Sequence, residues 1–376
     1  MADAEPAQDV GLLLADADTT AAEDRSRRSR SVLACVWKWT ALALLALATL
    51  LSLPLLAYTR RQRLPGVLVS EDGERQLAVM LHPERHNRRR PTVLLFNWTV
   101  TQGLRAPDGV EKMVYLVNDL FPGPTLEARS GDRIVVDVVN GLSSEGIALH
   151  WHGLRMERHN VMDGAVGFTQ CAVKPGQSFV YDFTIGHDEH GTFWWHGHGQ
   201  MQRGDGLFGG LVVHPPAVDW DDDDDDDDEA LLLVGDWFHR SQTHVLSWYA
   251  QDGSLGNEPV PDSLLINGRG RFDCSKAVPA RPVVCESPKL DPVFAHRSET
   301  GRTRVRVVNT GSVAGLSLAV DGASLQTVAV DGACAVRHGP ESSVGVLYPG
   351  ERVDVLLKWT DERRRLPRVH VYLDDE

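Results

Sequence analysis

The chain has 376 residues, with 38 Lys and Arg against 52 Asp and Glu, so its formal net charge is −14. This acidic balance argues against a nucleic-acid-binding protein, which needs a basic face. A hydrophobic content of 42% excludes a wholly disordered or fibrous chain, and five cysteines without a Cys-x-x-Cys pair give no support to a zinc ribbon or a small disulfide scaffold.

The first 91 residues predict a membrane anchor and a stalk. Residues 1–38 are polar with a basic run, which is typical of a disordered cytoplasmic tail. Residues 39–58 carry no charge, and at ~1.5 Å per residue a helix of this length crosses a bilayer core. We interpret 39–58 as a single-pass transmembrane signal anchor and 59–91 as a stalk. A cleaved signal peptide is the alternative.

This anchor predicts a membrane protein of the secretory pathway or plasma membrane, with its bulk lumenal or extracellular. The triplet Asn97-Trp98-Thr99 is a glycosylation sequon on that side of the predicted span. We therefore expect Asn97 to be glycosylated.

Residues 92–216 have the pattern of an all-β sandwich. Short β-branched or alternating runs, such as 133–139 and 179–185, are separated by turn residues, and no long helical period appears. Eight consecutive aspartates, 221–228, then predict a solvated linker over 217–229. A second β-rich segment, 230–376, follows this linker.

The second β-rich segment repeats features of the first in the same order. Residues 131–140 resemble 301–309, and Pro175-Gly176 resembles Pro349-Gly350. Two tandem copies of one sandwich explain both similarities. The second copy has no counterpart of the His-Trp-His run at 150–152, so the fold itself does not require these histidines.

Two His-x-His pairs, His150 with His152 and His196 with His198, predict a metal centre. Residues i and i+2 of a strand project to the same face, ~6–7 Å apart, so each pair directs two imidazoles the same way. Imidazole suits copper, zinc, iron or nickel, and the scarcity of carboxylates in these motifs disfavours magnesium or calcium. The alternative is strand histidines that bond only to the backbone.

Several motifs around these histidines resemble multicopper oxidases of the laccase, fungal ferroxidase and ascorbate oxidase group. Those that resemble the first domain of the family are Ala148-Leu-His-Trp-His-Gly153, Met162-Asp163-Gly164, Thr169-Gln170-Cys171, Lys174-Pro175-Gly176 and Gly191-Thr-Phe-Trp-Trp-His-Gly-His198. Those that resemble the second domain are Asp236-Trp237-Phe238-His239, Leu264-Leu-Ile-Asn-Gly268 and Val330-Asp331-Gly332.

The resemblance implies tandem cupredoxin-like Greek-key β-sandwiches. Members of the family oxidise a small reducing substrate at a type 1 copper and reduce O2 to water at a trinuclear copper cluster. The resemblance implies that His150 ligates the type 2 copper, that His152 and His196 ligate one type 3 copper and that His198 ligates the other. It also implies that Asp163 helps to deliver protons to the cluster; the alternative is a turn aspartate before Gly164.

The resemblance also bears on the cysteines and on the substrate. It implies a Cys274–Cys285 disulfide, and it leaves Cys171 free unless Cys334 has become its partner. Asp236 stands where ferroxidases tend to carry Glu, which favours a laccase-like or ascorbate-oxidase-like enzyme. An aspartate that begins a loop is the alternative.

The 376 residues depart from the family pattern because they contain no His-x-x-His-x-His segment and no His-Cys-His segment. The chain is therefore expected to hold only the first-domain half of the cluster ligands. The leading hypothesis is a laccase-like or ferroxidase-like oxidase of a phenolic, metal or similar reductant. The alternatives are a truncated, inactive, copper-binding cupredoxin pair and a half-enzyme completed by a chain with the third domain. The other histidines, His214 and His239 among them, are interpreted as surface or structural.

Overall fold

The computed structural model describes residues 68–69, 75–217, 228–295, 301–359 and 367–374. The predicted tail, the predicted membrane helix at 39–58 and most of the acidic linker lie outside these residues. In the ranges that the structure describes, no helix is both long and apolar enough to cross a membrane.

Three two-residue strands precede the first sandwich: β1 (Leu68–Val69), β2 (Arg75–Gln76) and β3 (Val79–Met80). The strands of the first sandwich are β4 (Val93–Arg105), β5 (Lys112–Val117), β6 (Leu126–Arg129), β7 (Arg133–Asn140), β8 (Leu149–His152), β9 (Ser178–Thr184), β10 (Gly191–Gly197) and β11 (Phe208–His214). They form two four-stranded sheets in the orders β5-β4-β7-β9 and β6-β11-β10-β8.

The core of the first sandwich lies between these two sheets. Along β7, Ile134, Val136 and Val138 are buried and alternate with more exposed residues, as expected of a strand with one face on the core. The rings of Trp98 and Trp195 meet in the centre of this core, 4.6 Å apart between centroids. Large aromatic side chains therefore support the core face of the sheet that carries β8 and β10.

The second sandwich contains one α-helix and ten strands in its described part. These are β12 (Asp228–Trp237), α1 (Gln242–Tyr249), β13 (Ser263–Ile266), β14 (Arg269–Gly270), β15 (Arg302–Asn309), β16 (Leu316–Val320), β17 (Ala323–Val330), β18 (Cys334–Ala335), β19 (Ser343–Leu347), β20 (Arg352–Trp359) and β21 (Val369–Leu373). One sheet has the order β14-β13-β12-β15-β20-β17-β18, with β3 added at β12, and the other has the order β19-β16-β21.

The two similar sequence segments, 131–140 and 301–309, occupy equivalent positions in the two sandwiches. β7 pairs in parallel with β4 and antiparallel with β9. β15 likewise pairs in parallel with β12 and antiparallel with β20. The structure is thus nearly all-β, as the strand pattern predicts, and each copy contains the same three-strand arrangement.

The two sandwiches share an apolar interface. Trp194 and Val212 of the first sandwich pack with Leu231, Leu233 and Val308 of the second in one buried cluster. Every residue of β10 and β11 is consequently buried, because one face of these strands covers the core and the other covers the second sandwich. β10 carries His196, so the interface holds the strand of a predicted metal ligand.

Residues 75–91 differ from the predicted stalk. The amides of Leu77 and Ala78 donate to the carbonyls of Pro292 and Val293 at 2.9 Å, and β3 pairs with β12. Residues 77–81 are apolar and include β3. Charged residues surround them, so the composition of the whole segment does not reveal this short strand. This part of the chain lies against the second sandwich because Leu77, Ala78 and Leu81 are buried.

Candidate metal centre

The histidine site forms where β8 and β10 lie side by side at the edge of their sheet. The strands are antiparallel, with His150 paired with His196 and His152 with Trp194. Trp151 and Trp195 lie on the opposite face, in the core of the first sandwich. The strand period of two therefore separates the histidines from the core tryptophans.

Three of the predicted ligands form one compact group. The candidate ligand atoms of His150, His152 and His196 all lie within 4.8 Å of one another. Nδ1 of His152 is 3.3 Å from Nε2 of His196, so two ring nitrogens of different strands face each other. Among the described residues this is the one group of at least three His, Cys, Asp or Glu side chains with this spacing.

His198, the fourth predicted ligand, lies just beyond the end of β10. Its ring centroid is 5.3 Å from that of His150 and 6.0 Å from that of His196, and its side chain is exposed. The structure therefore brings all four predicted histidines together, with three in a tight group and one at its solvent edge.

Backbone carbonyls fix the orientation of two imidazoles. Nδ1 of His150 lies 2.8 Å from the backbone oxygen of Asp163, and Nδ1 of His196 lies 3.0 Å from the backbone oxygen of Gly197. A carbonyl can only accept a hydrogen bond, so both Nδ1 atoms carry the proton and each Nε2 atom keeps a lone pair with which it can bind a metal. Metal-binding histidines usually donate the N–H of their other ring nitrogen in this way, which fixes the ring.

Asp163 reaches His150 because the next residue is a glycine. Gly164 has φ +89°, and a Cβ built at this position would be 1.8 Å from the carbonyl oxygen of Leu149. Only glycine allows the loop to come this close to β8. As a result, the Asp163 carboxylate also lies 3.3 Å from Nδ1 of His150.

The three tryptophans of the motifs have different positions. Trp194 packs against the ligands themselves, with its ring centroid 5.1 Å from that of His152 and 4.4 Å from that of His196. Trp151 and Trp195 instead fill the core beneath the site. Trp194 is thus the tryptophan that covers the imidazoles directly.

The second sandwich supplies part of the wall of the site, which the sequence did not predict. A Cβ on Gly350 would lie 3.1 Å from Cε1 of His152. The buried Arg352 guanidinium donates to the carbonyls of Thr192 and Gly350 at 3.2 Å. The similarity of Pro349-Gly350 to Pro175-Gly176 marks this turn as part of the repeat but does not predict its contact with His152.

The electrostatics of the site favour neutral imidazoles. Burial lowers the pKa of His150, and it lowers the pKa of His196 well below the usual 6.5. Burial and then the positive charge of Arg352 lower the pKa of His152 to about 3. Neutral imidazole is the form that ligates metals, so these three side chains are ready to bind at neutral pH.

This donor set fits copper. It consists of closely spaced neutral imidazoles with oriented Nε2 atoms, and its nearest carboxylate, Asp163, faces the Nδ1 side of His150 rather than the free nitrogens. Magnesium and calcium prefer oxygen ligands, whereas imidazole is a good ligand for copper and for zinc.

The cysteines lie as the resemblance implies. The sulfur atoms of Cys274 and Cys285 are bonded at 2.05 Å, and Cys171 and Cys334 are both free and exposed. The alternative pairing of Cys171 with Cys334 does not occur in this structure.

Asn97 and Asp236 have clear structural surroundings. Asn97 is exposed on β4 and its neighbour Trp98 is buried, so the sequon side chain faces solvent.

The buried Asp236 carboxylate accepts hydrogen bonds from the amides of Ser312, Val313 and Ala314 at 2.7–2.8 Å. Asp236 lies near the end of β12 and closes the loop at 312–314 of the second sandwich.

Comparisons with known proteins agree with these features. One family model described as multicopper oxidase matches residues 99–218, and a second with the same description matches residues 228–366. The chain is 36% identical over 274 residues to Laccase-2 of Cryptococcus neoformans var. grubii, covering 72% of this chain and 45% of that protein. It is 35% identical over 277 residues to L-ascorbate oxidase of Cucumis sativus, covering 71% of this chain and 45% of that protein.

A solved structure shows the same arrangement of strands. The laccase from Botrytis aclada superposes with a TM-score of 0.61 at 29% identity, covering 72% of this chain and 47% of that one. The chain therefore spans less than half the length of each of these three relatives.

Proposed function

The chain belongs to the multicopper oxidase family, a family of oxidoreductases, and we propose that its histidine site holds copper that reduces O2 with electrons from a small reducing substrate. The observation that carries this proposal is the grouping of His150, His152 and His196, whose candidate ligand atoms lie within 4.8 Å of one another. The copper ions would supply one-electron redox chemistry, by which O2, four electrons and four protons give two waters.

The roles of the individual ligands follow the spacing of the site. His152 and His196 would share one type 3 copper, which the 3.3 Å separation of Nδ1 and Nε2 supports. His150 would ligate the type 2 copper, and the exposed His198 would ligate the second type 3 copper at the solvent side. These four histidines form half of a trinuclear ligand set.

The residues around the ligands would control protons and water. The Asp163 carboxylate is partly exposed and lies beside His150, so it can pass protons from solvent to the site. Trp194 covers His152 and His196 and keeps water away from that side. Arg352 and Gly350 hold the side that faces the second sandwich.

The remaining parts of the enzyme are proposed from the family pattern. The other cluster ligands and the type 1 copper would come from a segment with His-x-x-His-x-His and His-Cys-His motifs, on the same or another polypeptide. Relatives named laccase and L-ascorbate oxidase support a phenol or a similar organic reductant as substrate, and a metal ion such as Fe(II) is the other candidate.

The cellular setting remains a proposal based on residues 39–58, a single-pass anchor that leaves the sandwiches lumenal or extracellular. The Cys274–Cys285 disulfide suits such an oxidising compartment, and glycosylation of the exposed Asn97 is expected there.

Copper stoichiometry and O2 uptake of the purified full chain test the proposal. We expect bound copper that is lost when His150 and His196 are both replaced by Gln, with the exposed His244→Gln variant as the matched control. O2 uptake is then measured with a phenol, alone and after addition of a polypeptide that carries the missing motifs.

The outcomes separate the candidate functions. Copper binding with O2 uptake only after this addition supports a half-enzyme. Copper binding without O2 uptake in either case favours the inactive copper-binding pair, and failure to bind copper overturns the metal centre itself.

A further inference from the structure

A pocket of about 280 Å³ opens beside the disulfide loop of the second sandwich. None of the residues that line it belongs to the histidine site. The pocket is therefore separate from the proposed copper site.

The loop that walls this pocket is held in place at both ends. The Cys274–Cys285 disulfide closes it, and the amide of Glu286 donates to the carbonyl of Gly109 in the first sandwich at 2.8 Å. Near its start, the Asp273 side chain accepts hydrogen bonds from the amide and the hydroxyl of Ser275. Such covalent and hydrogen-bonded closure preorganises a binding surface.

Cations dominate the polar part of the pocket. Arg240, Lys276 and Arg281 line it, and Asp262 is the one carboxylate among its lining residues. Within the described ranges, Nε of Arg240 is buried without any hydrogen-bond acceptor. A buried guanidinium N–H without an acceptor is costly, so this group points to an anion that would satisfy it.

The back of the pocket is rigid. His239 lies there, with Nε2 2.8 Å from Oδ2 of Asp108, and the Ser263 hydroxyl donates to the same oxygen. Asp108 is completely buried, and its contacts with His239 and Ser263 hold the imidazole in place. The ring of Phe272 packs edge-on against His239 at 4.6 Å between centroids.

Apolar side chains complete the pocket and define the body of the ligand. Phe272, Val278 and Val283 line it together with the cations. An inorganic anion would use the cations but leave these walls in contact with water, whereas an aromatic carboxylate would bury both kinds of surface. Arginine also binds carboxylates through two parallel hydrogen bonds and stacks on aromatic rings.

We propose that this pocket binds a small organic anion, with its carboxylate at Arg240 and Arg281 and its ring against Phe272 and Val283. Lys276 adds a third positive charge at the rim. Asp262 does not neutralise the pocket, because it is one carboxylate against three cations and it accepts a hydrogen bond from the amide of His239 at 2.8 Å.

Calorimetric titration of the full chain with benzoate tests this proposal, with benzyl alcohol and inorganic phosphate as matched probes. We expect one benzoate site with a dissociation constant below about 1 mM that weakens as salt is added. Benzyl alcohol, which lacks the charge, and phosphate, which lacks the ring, should each bind at least tenfold more weakly.

Two arginine variants and one control identify the site. Arg240→Gln and Arg281→Gln should each weaken benzoate binding by at least tenfold, and Arg271→Gln, an exposed arginine of the same region that does not line the pocket, should change it less than twofold. Arg281 is exposed, so its variant remains informative if Arg240→Gln lowers the melting temperature.

Three results would overturn the assignment. These are the absence of saturable benzoate binding, equal weakening by Arg271→Gln, and phosphate binding as tight as that of benzoate at the same arginines. The last result would leave an anion site but exclude an organic ligand as its specific occupant.

Discussion

His150 on β8 and His196 on β10 are directly paired residues of neighbouring antiparallel strands, and their ring centroids are 5.3 Å apart. Strand register, and not the packing of a flexible loop, therefore sets their separation. A slip of one residue between the strands would turn His196 toward the core face that holds Trp151 and Trp195. The aromatic core and the metal centre thus depend on the same register.

Replacement of His196 by Gln should weaken Cu(I) binding by at least about tenfold, because it removes the Nε2 atom that faces His152 at 3.3 Å. Titration against a competing chelator measures this affinity. His244→Gln, an exposed histidine on α1, should leave the affinity unchanged. Equal affinities for His196→Gln and the unmodified chain would show that copper does not bind at this pair.

Replacement of Gly164 by Ala should destabilise the fold and loosen the site, because a Cβ there would lie 1.8 Å from the Leu149 carbonyl oxygen. Gly167 is a matched control: it also has a positive φ, +83°, but has nothing within 4 Å of its ideal Cβ. We expect Gly164→Ala to cost at least ~2 kcal/mol more than Gly167→Ala in urea unfolding.

Only Gly164→Ala should also weaken copper binding, since it displaces the Asp163 carbonyl from His150. If both variants have the same stability and the same copper affinity, the close approach of this loop is not what orients His150.

The sequence predicts the parts of this structure that have a local signal. The alternation of apolar residues along β7 and the spacing of the two His-x-His pairs each indicate which side chains share one face of a strand. The structure places the four histidines together. The tandem repeat is equally visible, because β7 and β15 each pair with the same kinds of neighbours.

The parts that the sequence did not predict depend on residues far apart in the chain. Gly350 and Arg352 reach His152 from the other sandwich, and no periodic pattern marks them. His239 has a structural role, but its partner Asp108 is 131 residues away and no local pattern predicts the contact. The charged composition of 59–91 predicts a stalk, and it does not reveal the pairing of β3 with β12, which is distant in sequence.

Glu127 should make the stability of the chain sensitive to acid. Its carboxylate accepts a hydrogen bond from the His82 amide at 2.8 Å and lies 2.8 Å from Nε2 of His214. Burial by itself would raise the Glu127 pKa, but the hydrogen bonds from His214 and His82 outweigh it and lower the pKa from 4.5 to about 2. The folded state therefore binds this proton less readily than the unfolded chain.

The stabilisation by Glu127 is present above about pH 4.5 and is lost as the pH falls toward 2. It amounts to about 3 kcal/mol. Glu127→Gln should be less stable than the unmodified chain at pH 6 and should lose less stability between pH 6 and pH 3 in urea unfolding. The exposed Glu157→Gln should keep the original acid dependence. An unchanged pH profile for Glu127→Gln would contradict the assignment of this dependence to the contacts with His82 and His214.

Arg306 should be a key stabilising residue between the two sandwiches. Its Nη1 lies 2.6 Å from Oδ2 of Asp354 and its Nη2 lies 2.9 Å from Oε2 of Glu229, while Thr192 of the first sandwich donates to Asp354 at 2.5 Å. Burial opposes the charge of Arg306, but the carboxylates of Glu229 and Asp354 raise its pKa. The guanidinium is therefore charged in the interior and pairs with both carboxylates.

Replacement of Arg306 by Met should cost about 3–5 kcal/mol, because it leaves two carboxylates buried without their shared cation. Arg155→Met is the control: Arg155 pairs with Asp188 on the surface, where both side chains are at least 50% exposed, and its loss should cost less than ~1 kcal/mol. Chemical denaturation of both variants at pH 7 and low salt makes the comparison. If Arg306→Met were no less stable than Arg155→Met, the buried ion pairs would contribute nothing net, and the apolar cluster of Trp194, Leu231 and Val308 would hold the sandwiches together without them.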